Sequence, residues 1–249
     1  MRLRLTALLI VSAALTLGQP MSSHAQQPAE ADEPGRWQFF VAPYFLFPYM
    51  NGTVTVRGLD IGVDANPGDI FDKVQFGAML YFEANNGTWG ISLDGIYMNL
   101  KQTAERVPLE AGMKQGAVEL TGYRRVATWA EVLLGGRVNV LSASLTGEGG
   151  IVDRKDDKVW FDPFLGARLR VPGTRKWHLA IRGDIGGFGV GSDFAWQVYP
   201  VVGYRFSRLF EVAVAYRWLD MDYKTGSDEG AFRYNVTTFG PEVGLLFHF

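Results

Sequence analysis

Acidic residues and arginines recur at alternate positions in this chain, and they are the side chains best suited to chemistry. Alternate side chains of a β-strand face the same side of the sheet, so these residues would share one face. Two interpretations remain open. The residues either pair with one another and fill an interior, because an unpaired buried charge is costly, or they line a narrow polar conduit with a weak ion preference. The set comprises Glu83, Asp94, Glu119, Glu131, Arg137, Asp162, Arg168, Arg170, Arg182, Asp184, Arg205, Glu211, Arg217 and Glu242.

Histidines offer little for catalysis. Acid–base and nucleophilic mechanisms usually need a histidine that is oriented by a third group. His178 and His248 are the two histidines outside the N-terminal leader described below. Both lie at the ends of predicted strands, at the same rim of the predicted sheet. We therefore predict no catalytic residue and a non-enzymatic protein.

Metal and cofactor sites are not predicted either. Residues 153–158 contain three aspartates that could supply oxygen ligands to calcium, but they also contain three basic residues, which is typical of a solvated loop. The glycine-rich residues 186–191 lack the following helix and the Lys-Ser/Thr pair of a phosphate-binding loop. No basic cluster indicates a nucleic-acid partner.

The N-terminus has the pattern of an export signal. Arg2 and Arg4 precede an apolar run over residues 5–17, and small polar residues lead to Ala25. This pattern predicts a cleaved signal peptide over residues 1–25, a flexible polar lead-in over residues 26–35, and one domain over residues 36–249. Without the leader the chain would carry 22 basic and 26 acidic residues, and it contains no cysteine.

From residue 36 onward the chain alternates strand signals with turn signals. Aromatic and β-branched residues at every second position, separated by Gly, Pro and Asn, predict strands. We predict ten of them, over residues 36–47, 74–84, 88–100, 112–123, 128–142, 158–171, 176–188, 194–206, 209–223 and 232–249. Tight turns alternate with longer connections, as in a closed antiparallel barrel that spans a membrane.

Large aromatic residues stand at the start of every odd-numbered strand. Amphipathic rings prefer the membrane–water interface. We therefore predict an aromatic girdle at the periplasmic interface formed by Trp37, Trp89, Trp129, Trp177, Phe210 and Phe249. Trp129 is one residue out of phase with the outward face of its strand, which a bulge would explain.

The connection over residues 48–73 is too long for a simple loop. Residues 52–64 could form an extra hairpin, which would raise the strand count to twelve if it extends the wall. Asn66 and Pro67 then indicate a short capped helix near residues 66–73. We predict that it forms a partial plug of the barrel mouth, with Ile70 and Phe71 turned into the lumen and Asp69 and Asp72 reaching lumen arginines. The alternative is a cap on the outside of the rim.

The last stretch carries a resemblance to a known class. Apolar residues at alternate positions lead to a terminal phenylalanine, over Val243, Leu245, Phe247 and Phe249. This pattern resembles the assembly signal of Gram-negative outer-membrane barrels. Residues 183–204, 216–220 and 241–249 also resemble small barrels of the porin-like and outer-membrane-protein-A-type superfamily.

The resemblance implies an all-β fold, an outer-membrane location, and contact with outer-membrane lipid and the barrel-assembly machinery. It transfers no site residues, since that superfamily shares no common site. Two roles stay open: an envelope-structural barrel that also passes small polar solutes, and an adhesion barrel that acts through loops at residues 101–111 and 145–157. A lipid-modifying enzyme is a third and weaker alternative.

Overall fold

The structure is a computed structural model. It describes residues 35–56, 59–103, 109–147, 153–171, 176–227 and 231–249. The predicted signal peptide and nearly all of the predicted lead-in lie outside the described residues.

Twelve strands form one antiparallel sheet. They are β1 Gln38–Leu46, β2 Tyr49–Val56, β3 Leu59–Ala65, β4 Val74–Asn85, β5 Trp89–Thr103, β6 Leu109–Ala127, β7 Ala130–Gly147, β8 Asp153–Arg170, β9 Trp177–Gly186, β10 Phe194–Arg205, β11 Phe210–Thr225 and β12 Phe232–His248. Pairing of β1 with β12 closes a ring of ten strands, β1 and β4 to β12. The predicted ten-stranded barrel is confirmed, and β2 and β3 are two further strands that extend it.

Closure depends on a long final strand that pairs with two elements in one register. Phe40 is opposite His248 and Leu46 is opposite Glu242. Beyond Pro48 the same register continues through β2, where Tyr49 is opposite Phe239. β2 is therefore the continuation of β1, and the hairpin of β2 and β3 extends the wall above the ring.

β1 and β4 separate part of the way up the wall. Their pairing ends at Pro43 and Leu80, and Pro43 has no N–H to donate to a ladder. Above this point the backbone N–H of Leu46 donates to Sδ of Met79 at 3.1 Å instead of to a strand carbonyl. The chain bridges the resulting gap with β3 and the helix that follows it.

That helix, α1 Pro67–Phe71, begins with a capping box. The side chain of Asn66 accepts from the N–H of Asp69, and the carboxylate of Asp69 accepts from the N–H of Asn66. Such reciprocal bonds satisfy the exposed first-turn donors of a helix. Within the described residues, no helix is long and apolar enough to cross a membrane.

The predicted orientation of α1 is only partly right. Ile70 is buried inside the barrel, as expected. Phe71 is instead exposed, and its ring lies 5.4 Å from the ring of Phe47 on the outer surface. Asp69 caps the helix and Asp72 is exposed, and neither forms an ion pair with an arginine of the described lumen. Adjacent residues of one helical turn point about 100° apart, so Ile70 and Phe71 could not both enter the lumen.

Alternation along the strands separates an apolar outside from a packed inside. On β7 the neighbours Leu133 and Leu134 are 2% and 69% exposed. Two residues with the same side chain thus face opposite sides of the wall. The two ends of the barrel are named the turn end, where β4–β5, β6–β7, β8–β9 and β10–β11 are connected, and the loop end, where the other connections lie.

The strands extend further toward the loop end than predicted. Residues 109–111, 145–147 and 153–157 belong to β6, β7 and β8. Much of the two predicted adhesion loops is therefore strand. Residues 104–108 and 148–152 of those loops lie outside the described residues.

Candidate functional site

The lumen is the candidate site, because alternate side chains of the ring strands converge there, including the charged residues that the sequence pattern predicts to face inward. The structure groups its charged residues into separate clusters. The clusters lie in the half of the barrel nearer the turn end, and a layer of apolar side chains fills the half nearer the loop end. Within the described residues, no group of three or more histidine or acidic side chains is arranged to hold a metal ion.

The first cluster joins two buried glutamates to three arginines. Arg168 bonds Glu83 at 2.8 Å and Glu131 at 2.5 Å. Arg125 and Arg170 contact Glu131 at 3.3 and 3.1 Å. The hydroxyls of Tyr81 and Tyr123 also donate to Glu83. The tyrosine of β6 and the arginines of β8 thus meet one carboxylate of β4 across the lumen.

The second cluster is a closed square of two acids and two arginines. Arg137 contacts Glu119 at 2.7 Å and Asp184 at 3.4 Å. Arg182 contacts the same acids at 2.6 and 2.9 Å. Both guanidinium groups also lie over the buried ring of Phe164, at 5.5 and 5.2 Å from its centroid. A planar guanidinium suits both contacts, since it can bond carboxylates at its edge and stack on a ring through its face.

The third cluster centres on Arg217. Its Nη2 contacts Asp94 at 2.9 Å and its Nε contacts Glu242 at 2.6 Å. Tyr44 donates to Asp94 at 2.6 Å, and Tyr199 donates to Glu242 at 2.7 Å. Their rings also lie 5.8 and 4.8 Å from the guanidinium. One arginine therefore connects side chains from β1, β5, β10 and β12.

A fourth group lies at the turn end and includes both histidines. Glu211 is buried, and its two oxygens contact His178 at 3.3 Å and His248 at 3.1 Å. Arg205 contacts the same carboxylate at 3.3 Å. Sequence reasoning placed the two histidines at a rim but missed their shared partner. Gly203 makes the arrangement possible, because a Cβ there would lie 2.1 Å from Oε1 of Glu211.

Asp162 differs from the other lumen acids, since it has no basic partner among the described residues. Its carboxylate accepts from Ser192, through the N–H at 2.6 Å and the hydroxyl at 2.9 Å. Asn139 donates at 2.9 Å and the indole of Trp160 at 3.1 Å. Neutral donors thus satisfy a fully buried carboxylate. The bonds also fix the β9–β10 loop, in which Ser192 lies, against β8.

An apolar layer lies in the half of the lumen nearer the loop end. It contains side chains from β2, α1, β5, β7, β8, β10, β11 and β12, and Ile70 is the contribution of α1. The buried members are Met50, Ile70, Leu100, Leu141, Trp160, Ala195, Leu219, Met221, Phe232, Tyr234 and Val236. Its aromatic rings pack closely, with Trp160 stacked on Tyr223 at 4.4 Å.

A small cavity remains between the charged clusters and the apolar layer. Its volume is about 40 Å³, and its lining includes Leu46, Met98 and Arg217. Gln115 and Thr238 also line it, and Oε1 of Gln115 and Oγ1 of Thr238 have no hydrogen-bond partner among the described residues. About one to three waters fit such a volume, and a water there could bond both oxygens.

Above the apolar layer, ion pairs are exposed to solvent. Arg233 contacts Asp222 at 2.9 Å, and Lys224 contacts Asp193 at 2.5 Å. The hydrogen bond and the charge of Asp222 raise the pKa of the Arg233 guanidinium above its ordinary value. Arginine is charged at any physiological pH, so this shift does not make the pair a pH sensor.

Aromatic side chains surround the barrel at two levels. Trp37, Trp89, Trp129, Trp177 and Phe249 are exposed at the turn end, with Phe210 half-buried among them. Trp129 lies in the turn before β7, and the register of β6 and β7 shifts between Arg125 and Ala127 beside it. Sequence reasoning missed a second level near the loop end, formed by Tyr49, Phe76, Tyr97, Phe161, Phe188 and Phe194.

The structure thus has a closed antiparallel wall with an apolar outside and an interior that contains buried ion pairs and an apolar layer. The fold is that of an outer-membrane β-barrel. No protein-family model matches the chain, and no curated protein matches it.

Solved structures give a distant likeness of fold. Ail, the attachment invasion locus protein of Yersinia pestis in complex with a heparin analogue, has 10% identity and a TM-score of 0.42, over 86% of this chain and 98% of that one. The translocator domain of the autotransporter NalP from Neisseria meningitidis has 12% identity and a TM-score of 0.35, over 88% and 90%. The outer membrane protein Omp33 of Acinetobacter baumannii has 13% identity and a TM-score of 0.26, over 87% and 100%.

Proposed function

We propose that this protein is a non-enzymatic barrel of a Gram-negative outer membrane with an envelope-structural role and a lumen that is closed at rest. The observation that carries the proposal is the packing of two groups of side chains in the described lumen. Arginine–carboxylate clusters fill the half nearer the turn end, and the apolar layer fills the half nearer the loop end. The cavity of about 40 Å³ between them is far smaller than a path for a sugar or an amino acid.

The membrane location is supported by the outer surface. The outward faces of four different strands expose apolar side chains, namely Leu93, Leu134, Ile181 and Val214. Such an apolar surface is unfavourable in water and is typical of contact with a membrane. Aromatic rings border this apolar surface at both levels, as in transmembrane barrels. We assign the turn end to the periplasm and expect the leader to be removed after Ala25.

Cell fractionation tests the location. The full-length gene product, expressed in a Gram-negative host, should sediment with the outer membrane as a heat-modifiable band. The N-terminus of the extracted protein should be Gln26 by mass spectrometry. Recovery in the soluble periplasmic fraction would contradict the proposed location.

Solute uptake tests the closed lumen. Proteoliposomes that contain the purified barrel should swell in arabinose or glycine no faster than protein-free liposomes, whereas a general-diffusion porin should cause rapid swelling. Swelling that increases with the amount of barrel would favour the polar-pore alternative.

A surface-binding role is a second candidate, favoured by the length of the strands. β6 and β7 contain 19 and 18 residues, whereas about 10 residues suffice to cross a bilayer. The surplus extends the wall at the loop end, to which β2 and β3 add. If this surface binds host material, cells that display the barrel should bind a panel of matrix proteins or glycosaminoglycans better than cells without it.

A further inference from the structure

The turn end of the barrel has exposed basic side chains and no exposed acid among its described turn residues. Arg124 lies on the outward face of β6 near its turn, Lys176 directly precedes β9, and Arg208 lies in the β10–β11 turn. All three are exposed, and none forms an ion pair with a described residue. We name these residues the basic arc, since they occupy three successive turns of the ring.

The acidic side chains that the structure describes at this end are turned inward. Glu83, Glu131 and Glu211 are each 1% exposed, and arginines or histidines inside the lumen pair with them. They therefore do not neutralise the basic arc. The described residues of the four turns, 86–88, 128–129, 171, 176 and 206–209, contain no Asp or Glu.

Each member of the basic arc neighbours an aromatic residue of the girdle, Arg124 by direct contact and the other two in sequence. The guanidinium of Arg124 lies 5.1 Å from the ring centroid of Trp89. Lys176 directly precedes Trp177, and Arg208 lies between Phe206 and Phe210, whose rings are 5.9 Å apart. Aromatic belts sit at the headgroup level of a bilayer. We therefore expect the cations to lie near the depth of the lipid phosphates.

We propose that the basic arc binds the anionic headgroups of phospholipids in the leaflet at the turn end. The phosphodiester oxygens of a lipid accept hydrogen bonds from guanidinium and ammonium groups. The neighbouring aromatic ring would contact the acyl chain of the same lipid. This inference rests on the proposed membrane location and concerns the lipid class, which the location alone does not fix. Phosphatidylglycerol fits the arc because it has a net negative charge, whereas phosphatidylcholine has none.

Quenching of tryptophan fluorescence by brominated lipids tests the site. The refolded barrel would be reconstituted in phosphatidylcholine vesicles with increasing fractions of brominated phosphatidylglycerol or brominated phosphatidylcholine. The ratio of the two quenching curves gives the preference for the anionic lipid. We expect a preference of about fivefold at low salt, which falls toward one in 0.5 M NaCl as the charges are screened.

Variants identify the residues. Arg124→Gln, Lys176→Gln and Arg208→Gln together should reduce the preference to nearly one. The charge-conserving set Arg124→Lys, Lys176→Arg and Arg208→Lys should retain it. A matched set at the loop end, Lys114→Gln, Lys224→Gln and Arg233→Gln, should also retain it. A preference that persists in the first set, or is lost equally in the loop-end set, would overturn the proposal.

Two further measurements distinguish lipid binding from binding of free phosphate and from failure of the barrel to insert. Inorganic phosphate at 10 mM should leave the quenching ratio unchanged if the arc takes a membrane phosphodiester, and an abolished preference would instead indicate a site for free phosphate. The heat-modifiable shift is measured on the same vesicles. A barrel that fails to insert contradicts the proposed function, whereas an inserted wild-type barrel with no anionic preference contradicts this inference alone.

Discussion

At the scale of single residues, the lumen shows how a barrel can tolerate many buried charges. An arginine removed from water loses hydration, and this loss is offset only if its donors meet several acceptors. Arg217 meets two carboxylates and two aromatic faces. Removing a member of such a cluster therefore leaves the remaining charges without a partner.

Arg217→Met should lower the free energy of unfolding by about 3–5 kcal/mol, since Asp94 and Glu242 would remain buried without a cation. Arg233→Met is the matched control, because its ion pair with Asp222 is solvent-exposed and contributes about 0–1 kcal/mol. Urea titration of the heat-modifiable band in a reversible folding assay measures both. Equal losses would mean that water reaches the Arg217 cluster.

The sequence indicated which charged residues face the interior, because alternation determines the face. It did not indicate which acid meets which arginine. That depends on how far the strands are staggered around the ring and on which side chains face each other across the lumen. Glu83 pairs with Arg168, which is 85 residues away. Ser192 was missed because its loop folds inward, and no periodicity reports such a fold.

At the scale of elements, α1 is held to the wall by one residue on each of its two sides. Ile70 enters the apolar layer, and Phe71 contacts Phe47 on the outer surface. The helix has only five residues, so its order must come from packing rather than from its own hydrogen bonds.

Ile70→Ala should cost about 2–5 kcal/mol of unfolding free energy, because it opens a cavity in a packed layer. Phe71→Ala, in the same helix, should cost clearly less, since that ring is exposed. The same urea assay measures the pair. A larger loss for Phe71→Ala would show that the helix is turned over and that Phe71 is the inward residue.

The wall itself offers a test of register. Leu93→Arg introduces a charge on the lipid-facing surface halfway between Trp89 and Tyr97, which belong to the two aromatic levels, and should cost about 2–4 kcal/mol, whereas Val126→Arg near the turn end should cost about 0–1 kcal/mol. Folding into phospholipid vesicles rather than detergent is the appropriate measurement. A similar cost at both depths would contradict the assigned position of the bilayer.

The predicted strands are confirmed. They could be predicted because an apolar outer surface requires apolar residues at every second position, and this period is visible in the sequence. The sequence did not decide the role of the hairpin over residues 52–64, since its pattern fits a hairpin in a free loop as well as one that extends the barrel wall. Its role follows from the register of β12, which pairs with β1 and β2 in sequence. Strand residues that pair across most of the chain, such as Tyr49 and Phe239, leave no signal in the local sequence pattern.

At the scale of the whole molecule, the described lumen has a charged half and an apolar half, and in the proposed function each of them closes the lumen independently. A solute would have to separate several buried ion pairs and also displace the apolar layer. Replacing residues 66–73 by a Gly/Ser linker removes only Ile70 from that layer, so it should weaken the fold without opening a path.

Single-channel recording in planar bilayers tests this closed lumen most directly. The account predicts that the wild-type barrel, inserted and folded, shows no current steps in 1 M KCl. The variant with a Gly/Ser linker over residues 66–73 should also be silent, while a general-diffusion porin in the same bilayers gives regular steps. Stable steps from the wild-type barrel would contradict the account, and steps from the linker variant alone would show that α1 is the only barrier.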